Sequence, residues 1–546
     1  MKSLRPVTEW MSLLAEPSGA LLDQLRRIYG GDSVEIRPRL PVWTQTLRGF
    51  ARSYSPDARV LVARAPGRVN LLGMHVDHRG GAVNTLAVGD TILVAEPRDD
   101  DRVVLGNADP EFPPSEFRIG EELPGGGVTD WDKWTMDQYR RRLAAGTQAD
   151  WSNYVRAGVL YLQHVNTAAD GSFSPALKGM NVFVSGNVRP RSGLSSSSAI
   201  VVSTMEACIC INDLGLSDME LVDAAHLAEW YVGTRGGGGD HAAIKFSRHG
   251  YLAHLGAFPL SVDRLPLPDE YCAVLCDSMV TSAKTAGARD VFNQRVACYE
   301  LGMLILRKSF PRLAERMERL REVTPAGLGV DEGEVYRMLK ALPELAGREQ
   351  LSAMLAEKAG ELERIFRSHE PLPGGYRVRQ ACLYGIAEIL RSERSVELLR
   401  AGDVEGFGEL MTLSHEGDRV THLAGGKRVL LEKPLPDSEL DRLAADARSD
   451  DPARRDAARL YRQPGGYDAS CEQLDEMVDI AMEVPGVFGA CLVGAGLGGC
   501  IVVLTRKDRA DAVLAAMTER YYRPRGLPAT MQLCSGVGGS GVLVVD

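Results

Sequence analysis

The chain has little that would draw it to nucleic acid or hold it in a bilayer. Its 63 Lys and Arg are outnumbered by 73 Asp and Glu, a formal net charge of −10. No general attraction to phosphate backbones is expected, and only local basic patches remain for small anions. No stretch approaches the roughly 18 apolar residues of a membrane span. The opening MKSLRPVTEWMSLLAEPSG lacks the uninterrupted apolar core of a signal peptide, so a cytoplasmic protein is expected. Ten cysteines lie scattered, among them Cys208, Cys210, Cys272, Cys276, Cys298, Cys382, Cys491 and Cys500, with no CxxC pair and no Cys/His group at zinc spacing. They read as reduced thiols. Two phosphate-binding signatures are missing as well. No G-x-x-x-x-G-K-[ST] occurs, and GAGLGG (494–499) stands near the C-terminus, where a dinucleotide fold would not begin. No internal repeat is evident.

What is present is ordinary globular composition, 45% hydrophobic and 25% charged, in 546 residues, enough for two or more domains. Residues 1–57 read as a helical N-terminal extension. RVLVARAP and TILVAEP read as strands, and 98–150, acidic and rich in Gly and Pro, as surface loops with a helix inserted in the first domain. NYVRAGVLYLQHV has helical spacing; NVFVSG is a strand that leads through a loop into a long helix. The chain begins again near 266 with the strand YCAVLCDS and continues in charged helices. Residues 421–466 read as a charged, partly mobile insertion. The expected division is therefore 1–57, 58–265 and 266–546.

Three loops carry candidate chemistry. GRVNLLGMHVDHRGG (67–81) sets two imidazoles, a carboxylate and a guanidinium beside a methionine. RPRSGLSSSSAI (189–200) follows a strand and opens a helix, the geometry in which unpaired N–H groups and the helix dipole hold an anion. Gly193 lets backbone approach, and Ser195 to Ser198 offer hydroxyls to phosphate or magnesium; a plain polar cap is the alternative. GTRGGGGDHAAI places Asp240 after four glycines, either as an acid poised to take or orient a substrate proton, or as an incidental cap on a flexible loop.

The first two loops and the C-terminal glycine segment resemble, in this order, the three motifs of the GHMP small-molecule kinases. APGRVNLLGMHVDHRGG resembles the galactokinase signature, SGLSSSSA the nucleotide-phosphate loop, and LVGAGLGGCIVVL the third motif. WSNYVRAGV, FNQRVACYE, LMTLSHEGDRV and SCEQLDEMVDIA are similar to intermediate galactokinase segments, so the likeness runs from about residue 58 to the end. It implies a two-domain α+β GHMP kinase fold, with an N-terminal ribosomal-protein-S5-like domain, a C-terminal ferredoxin-like α+β domain and the site in the cleft between them. It also implies transfer from ATP, with Mg2+, to the anomeric hydroxyl of a galactose-type sugar. By the same resemblance Asp240 is the catalytic aspartate and Arg68 its partner. Met74, His75, Asp77, His78, Arg79, Gly237 and Phe292 line the sugar, and Arg191, Ser192, Gly193, Leu194, Ser195, Ser196, Ser197 and Ser198 hold ATP. Ser197 and Glu229 take the metal, Glu229 standing one residue closer to Gly233 than the family spacing. Gly494, Ala495, Gly496, Gly498 and Gly499 form the cleft loop. Sugar and ATP are the expected partners, with neither nucleic acid nor membrane.

The departures bear on substrate. Galactokinases have Glu where this chain has Met74, and a thioether is a weak acceptor for a sugar 6-hydroxyl. Loss of that carboxylate, with His78 for Tyr and Arg79 for Asn, resembles galacturonate kinases and predicts altered recognition at C6. The alternative is packing of Met74 beside VNLL. Phe292 replaces a Tyr, Arg191 a loop glycine, and His241 a Gln. A kinase for another polyol, such as an inositol or a nucleoside sugar, and a non-catalytic sugar- and ATP-binding regulator are the other readings. Retention of both Arg68 and Asp240 argues against the regulator.

Overall fold

Arg59–Leu72 and Val83–Pro97 pair antiparallel from Leu61↔Ala95 to Leu72↔Asn84 and form the spine of the protein. Their apolar runs are continuous because both faces are covered. Along the first strand, Leu61, Ala63 and Ala65 pack with the helices Ser152–Val165 and Ser196–Asn212, whereas Val60 and Val62 turn the other way onto Trp10, Trp43, Leu47 and Phe50. The computed structural model describes residues 3–31, 36–168, 171–173, 176–190, 192–234, 237–280 and 288–545.

The spine belongs to a nine-stranded sheet. Met180–Gly186 pairs antiparallel with Val83–Pro97, and Arg102–Asn107 pairs parallel with Met180–Gly186. Tyr251–Gly256 and Ser261–Pro266 add a hairpin at the far end of Val83–Pro97.

Three expectations about organisation change here. Residues 1–57 do not stand apart, since Arg5–Pro6 extends the sheet beside Arg59 and Val60, and the Trp10 indole donates to Val60 O at 2.9 Å. The helices Val7–Ala15, Gly19–Tyr29 and Leu40–Ser53 bury Trp10, Leu25 and Trp43; without them one face of the sheet would be bare. The 98–150 segment has the expected helix, Trp131–Ala145, but Arg102–Asn107 and Ser115–Arg118 are strands of the main sheet, not surface loops. The C-terminal end likewise returns to the first sheet, with Gly541 and Val542 opposite Arg64 and Ala63.

A second, four-stranded antiparallel sheet runs Val487–Leu492, Cys500–Arg506, Tyr271–Asp277, Met531–Cys534. Val274 and Cys276 face the helices Ala288–Ser309, Val378–Arg400 and Glu472–Met482; Ala273, Leu275 and Val502 face the other way. That second face packs against Val69, Leu71, Leu72, Leu86 and Val88 of the first sheet, so one apolar layer joins the two halves and seats the cleft beside it. Residues 421–466 are not a loose appendage. They carry the hairpin Thr421–Ala424/Lys427–Leu430 and the helices Asp437–Asp446 and Pro452–Ala457. Leu440, Leu443 and Leu460 enter the main core, and the Arg379 guanidinium donates to Leu435 O at 2.7 Å. Most of the charges that suggested mobility lie on the outer faces of these helices, and the buried Asp446 is paired with Arg442 and Arg454.

Among the described residues no helix is long and apolar enough to cross a membrane. All ten cysteines are unpaired.

Candidate functional site

Arg68 leaves the spine strand where its own N–H donates to Leu194 O at 2.9 Å. The contact requires Gly67, since a Cβ there would lie 2.5 Å from Leu194 O. The guanidinium meets both oxygens of Asp240, Nε to Oδ1 at 2.7 Å and Nη2 to Oδ2 at 2.6 Å, and its Nη1 donates to Gly193 O at 2.6 Å. One arginine thus ties the spine, the serine loop and the helix Gly239–Phe246 that carries Asp240.

Ser195, expected to face phosphate, instead donates its hydroxyl to Asp240 Oδ2 at 2.5 Å. It sits at φ 52°, ψ 45°, in the left-handed region, which turns the chain into the helix Ser196–Asn212 without a side-chain cap. Burial works to raise the pKa of Asp240. The charge and hydrogen bonds of Arg68, the Ser195 hydroxyl and the nearby His241 outweigh it and hold the carboxyl below its usual range. Two carboxylate oxygens offer about four lone-pair positions. Three are taken, leaving one for a ligand on Oδ1.

Arg68 and Asp240 border a cavity of about 450 Å³, in the range of small-molecule sites. Met74, His75, Asp77, His78, Gly237 and Phe292 line it as expected, with Glu229, Gly494 and Ala495. Asn70, His226 and Thr234 also line it. They escaped the sequence reading because nothing in their local pattern marks them.

Several expected ligands are already engaged elsewhere. Arg79 does not line the cavity. Its guanidinium turns to Glu300 at 3.4 Å and lies over the Tyr299 ring, so its charge is satisfied away from the sugar side. The His75 ring stacks on Tyr467 at 4.4 Å with Nε2 3.5 Å from Asp418, and it contributes a wall more than a free donor. His78 Nδ1 lies 3.1 Å from Asp77 Oδ1. For Asp77, burial raises the pKa, but His78 and then His75 lower it by more, so it remains a carboxylate. Met74 is 3% exposed and packs with Val69, Leu71 and Leu72 while lining the cavity. Its N–H and that of Gly73 donate to Glu388 Oε1 at 3.1 and 2.8 Å. Glu388 is itself held by Ser414 Oγ and by Arg391, all of it buried. A glutamate in the middle of a distant helix gives no sequence sign of this role.

A second cavity, of about 390 Å³, opens at the start of the helix Ser196–Asn212. Ser196 and Ser197 line it beside Gly186 and Val188, and Phe112, Trp151 and Tyr154 supply aromatic walls. Ser192, Leu194 and Ser198 have buried side chains and, like Gly193, do not line it; the carbonyls of Gly193 and Leu194 accept from Arg68 instead. Arg191 lies outside the described residues.

Glu229 sits on the short helix Glu229–Val232, buried, with Oε1 lacking a hydrogen bond and 3.4 Å from His241 Nε2. It lines the first cavity and Ser197 the second. Among the described residues no three His, Cys, Asp or Glu side chains gather as a metal cage. In the glycine loop, Gly494 and Ala495 face the first cavity; Gly496 and Gly498 pack on Ala469 and Val280, and Gly499 N donates to Val280 O.

Three family descriptions match: the galactokinase galactose-binding signature over 48–96, the GHMP kinases N-terminal domain over 153–248 and the GHMP kinases C-terminal domain over 442–523. The last begins inside 421–466, in line with the packing of that segment. Curated relatives include a galactokinase of Dictyostelium discoideum, 27% identical over 87% of this chain and 86% of the relative. Another, from Roseiflexus sp., is 26% identical over 90% and 95%. Among solved structures, Lactococcus lactis galactokinase complexed with galactose superposes with a TM-score of 0.61 at 22% identity, covering 92% of this chain and 99% of that one.

Proposed function

We propose that this chain, which has the two-domain GHMP kinase fold and carries the galactokinase sugar signature, transfers the γ-phosphoryl group of ATP to the anomeric hydroxyl of galactose, giving galactose 1-phosphate and ADP. The observation that carries the reading is the two-point contact of Arg68 with Asp240 on the wall of a cavity lined by His75, Asp77 and His78, with Arg68 also holding the serine loop that leads to the helix Ser196–Asn212.

Sugar binding in the first cavity directs O1 to the open position on Asp240 Oδ1. With its pKa held low, Asp240 is a weak base in the ground state. Its part is to orient the hydroxyl and to receive the proton late, as the O1–phosphorus bond forms and the bond to ADP breaks. Arg68 lies beside the reacting groups and stabilises negative charge on the transferring phosphoryl group. The first-turn N–H groups of the helix Ser196–Asn212 and the hydroxyls of Ser196 and Ser197 hold the nucleotide phosphates, and Phe112, Trp151 and Tyr154 flank the base. Magnesium would neutralise phosphate charge, with the Ser197 hydroxyl beside the phosphates and Glu229 on the sugar-side wall as the candidate protein ligands. So few protein donors fit an ion that usually keeps waters and nucleotide oxygens as ligands. Ten unpaired thiols suit a reducing, cytoplasmic setting.

At C6, the apolar Met74 side chain supports a preference that does not depend on a 6-hydroxyl acceptor. The engagement of Arg79 with Glu300 removes the charge that favoured a C6 carboxylate. The test is ATP consumption with galactose, galacturonate, fucose, N-acetylgalactosamine, arabinose and inositol. Turnover with galactose is expected. Absence of phosphoryl transfer to every sugar would leave the non-catalytic regulator, and turnover with inositol alone would identify a polyol kinase.

A further inference from the structure

Away from the cleft, a third cavity of about 520 Å³ lies where the helix Gly19–Tyr29, the end of the helix Gly239–Phe246 and the C-terminal glycine segment meet. Arg27, Arg248 and Arg264 line it. Among the described residues, neither Arg27 nor Arg248 makes a side-chain hydrogen bond or ion pair, and Arg264 commits only Nε, to Phe246 O. The other charges of the wall are satisfied within the protein. Lys245 Nζ lies 2.8 Å from Glu206 and 2.9 Å from Asp218. Arg64 is buried on Asp90 at 2.7 Å and donates to Gly538 O and Gly539 O. Two guanidiniums with no partner among the described residues, and a third committed only through Nε, thus line one concave site of a chain whose net charge is −10.

We propose that this cavity is an effector site for a phosphate monoester of sugar size. Guanidinium forks match phosphate oxygens two at a time, which favours a phosphate dianion over a single carboxylate. The volume suits a small molecule and not a polymer. The placement gives it a route to the chemistry. The helix that carries Asp240 carries Lys245 one and a half turns on, on the order of 7 Å along its axis. The strand that carries Arg68 carries Arg64 roughly 13 Å back. Both members of the reacting pair therefore ride on elements that also contribute a residue to this wall. A ligand that draws Arg27, Arg248 and Arg264 together loads the Lys245 end of the helix and the Arg64 anchor, and so changes kcat. Binding stands independently of the kinase reading; the effect on kcat rests on it.

The experiment is calorimetry on the full chain with the cleft filled by galactose and a non-hydrolysable ATP analogue. Inorganic phosphate and galactose 1-phosphate are titrated in turn into wild type and into the exposed double variant Arg27→Gln/Arg248→Gln. Binding to wild type, weakened at least tenfold in the variant, is expected. Tighter binding of galactose 1-phosphate identifies a sugar phosphate as the effector; equal binding identifies phosphate itself. A twofold or larger change in kcat at saturating galactose and ATP, absent from the variant, is expected with the better ligand. No binding to the filled wild-type protein, or equal binding to the variant, overturns the site. Binding with kcat unchanged overturns the coupling, and inactivity of the wild-type enzyme would count against the kinase reading alone.

Discussion

Arg68 and Asp240 stand 172 residues apart in sequence and meet through two parallel hydrogen bonds of 2.7 and 2.6 Å. The strand supplies one partner and a short helix after a glycine run supplies the other, and Ser195 closes the third side. Such an arrangement fixes a carboxylate in one orientation with one acceptor position free, as positioning catalysis requires.

Replacing Asp240 with Asn keeps the shape and removes the charge. Turnover with galactose should fall about 10²- to 10⁴-fold, the range for loss of a positioned general base. ATP affinity, read by fluorescence or calorimetry, should persist because the Ser196 and Ser197 cavity is untouched. A near-normal kcat would remove Asp240 from the chemistry.

The pH profile gives the sign of the Arg68 effect. In the native protein the Asp240 pKa lies below the ordinary value, so the acid limb of kcat/KM falls at low pH. Any stability from the pair is present above the unfolded-state value of about 3.9 and is lost as pH falls through the depressed native value. In Arg68→Gln the largest lowering contribution is gone, and only the Ser195 hydroxyl and His241 still oppose burial. The acid limb should move upward, and kcat should drop at every pH. An unmoved limb would mean that another group sets it.

Glu388 should matter to both fold and site. Its Oε1 accepts from Gly73 N, Met74 N and Ser414 Oγ, and Oε2 accepts from Arg391 Nε at 2.7 Å, with both side chains fully buried. Glu388→Ala leaves Arg391 buried without its ion partner. A cost of about 3 to 5 kcal/mol follows from removing one member of a buried pair, measurable by denaturant unfolding. Glu388→Gln keeps an acceptor for the loop and should recover part of the stability. The galactose KM should rise in Glu388→Ala, where the 73–78 loop loses its anchor, and less in Glu388→Gln, where the amide oxygen still accepts from Gly73 and Met74.

The parts of this protein visible in its sequence are those governed by neighbouring residues. The strand Tyr271–Asp277, the glycine-ended helix Gly19–Tyr29 and the helix opened by Ser196 follow from local apolar patterns and turn residues. The cleft motifs were legible because each is a contiguous word. What was not legible depends on distant partners. The cover provided by residues 1–57 follows from the bare second face of a sheet formed later in the chain, and Arg79 turns away because Glu300 and Tyr299 lie on a helix from the other half. Ser195 faces Asp240 because of one left-handed residue, which a run of serines does not reveal.

Met74 brings both kinds of information to a single test. Locally it replaces an acceptor; in three dimensions it is 3% exposed, packed with Leu71 and Leu72 and pinned through its N–H by Glu388. With no acceptor to be left unpaired, the wild-type enzyme should use 6-deoxygalactose within about tenfold of galactose, since a lost apolar-pocket contact of about 1 kcal/mol, the low end for such a change, shifts the ratio by no more than that. Met74→Gln has similar volume, buries no charge and offers an amide oxygen to O6. It should raise the preference for galactose over 6-deoxygalactose by roughly tenfold, the worth of one net hydrogen bond. Competing the two sugars in one reaction and following both 1-phosphates by NMR gives the ratio directly. The same ratio in both proteins would assign Met74 to packing and place C6 selection elsewhere in the cavity.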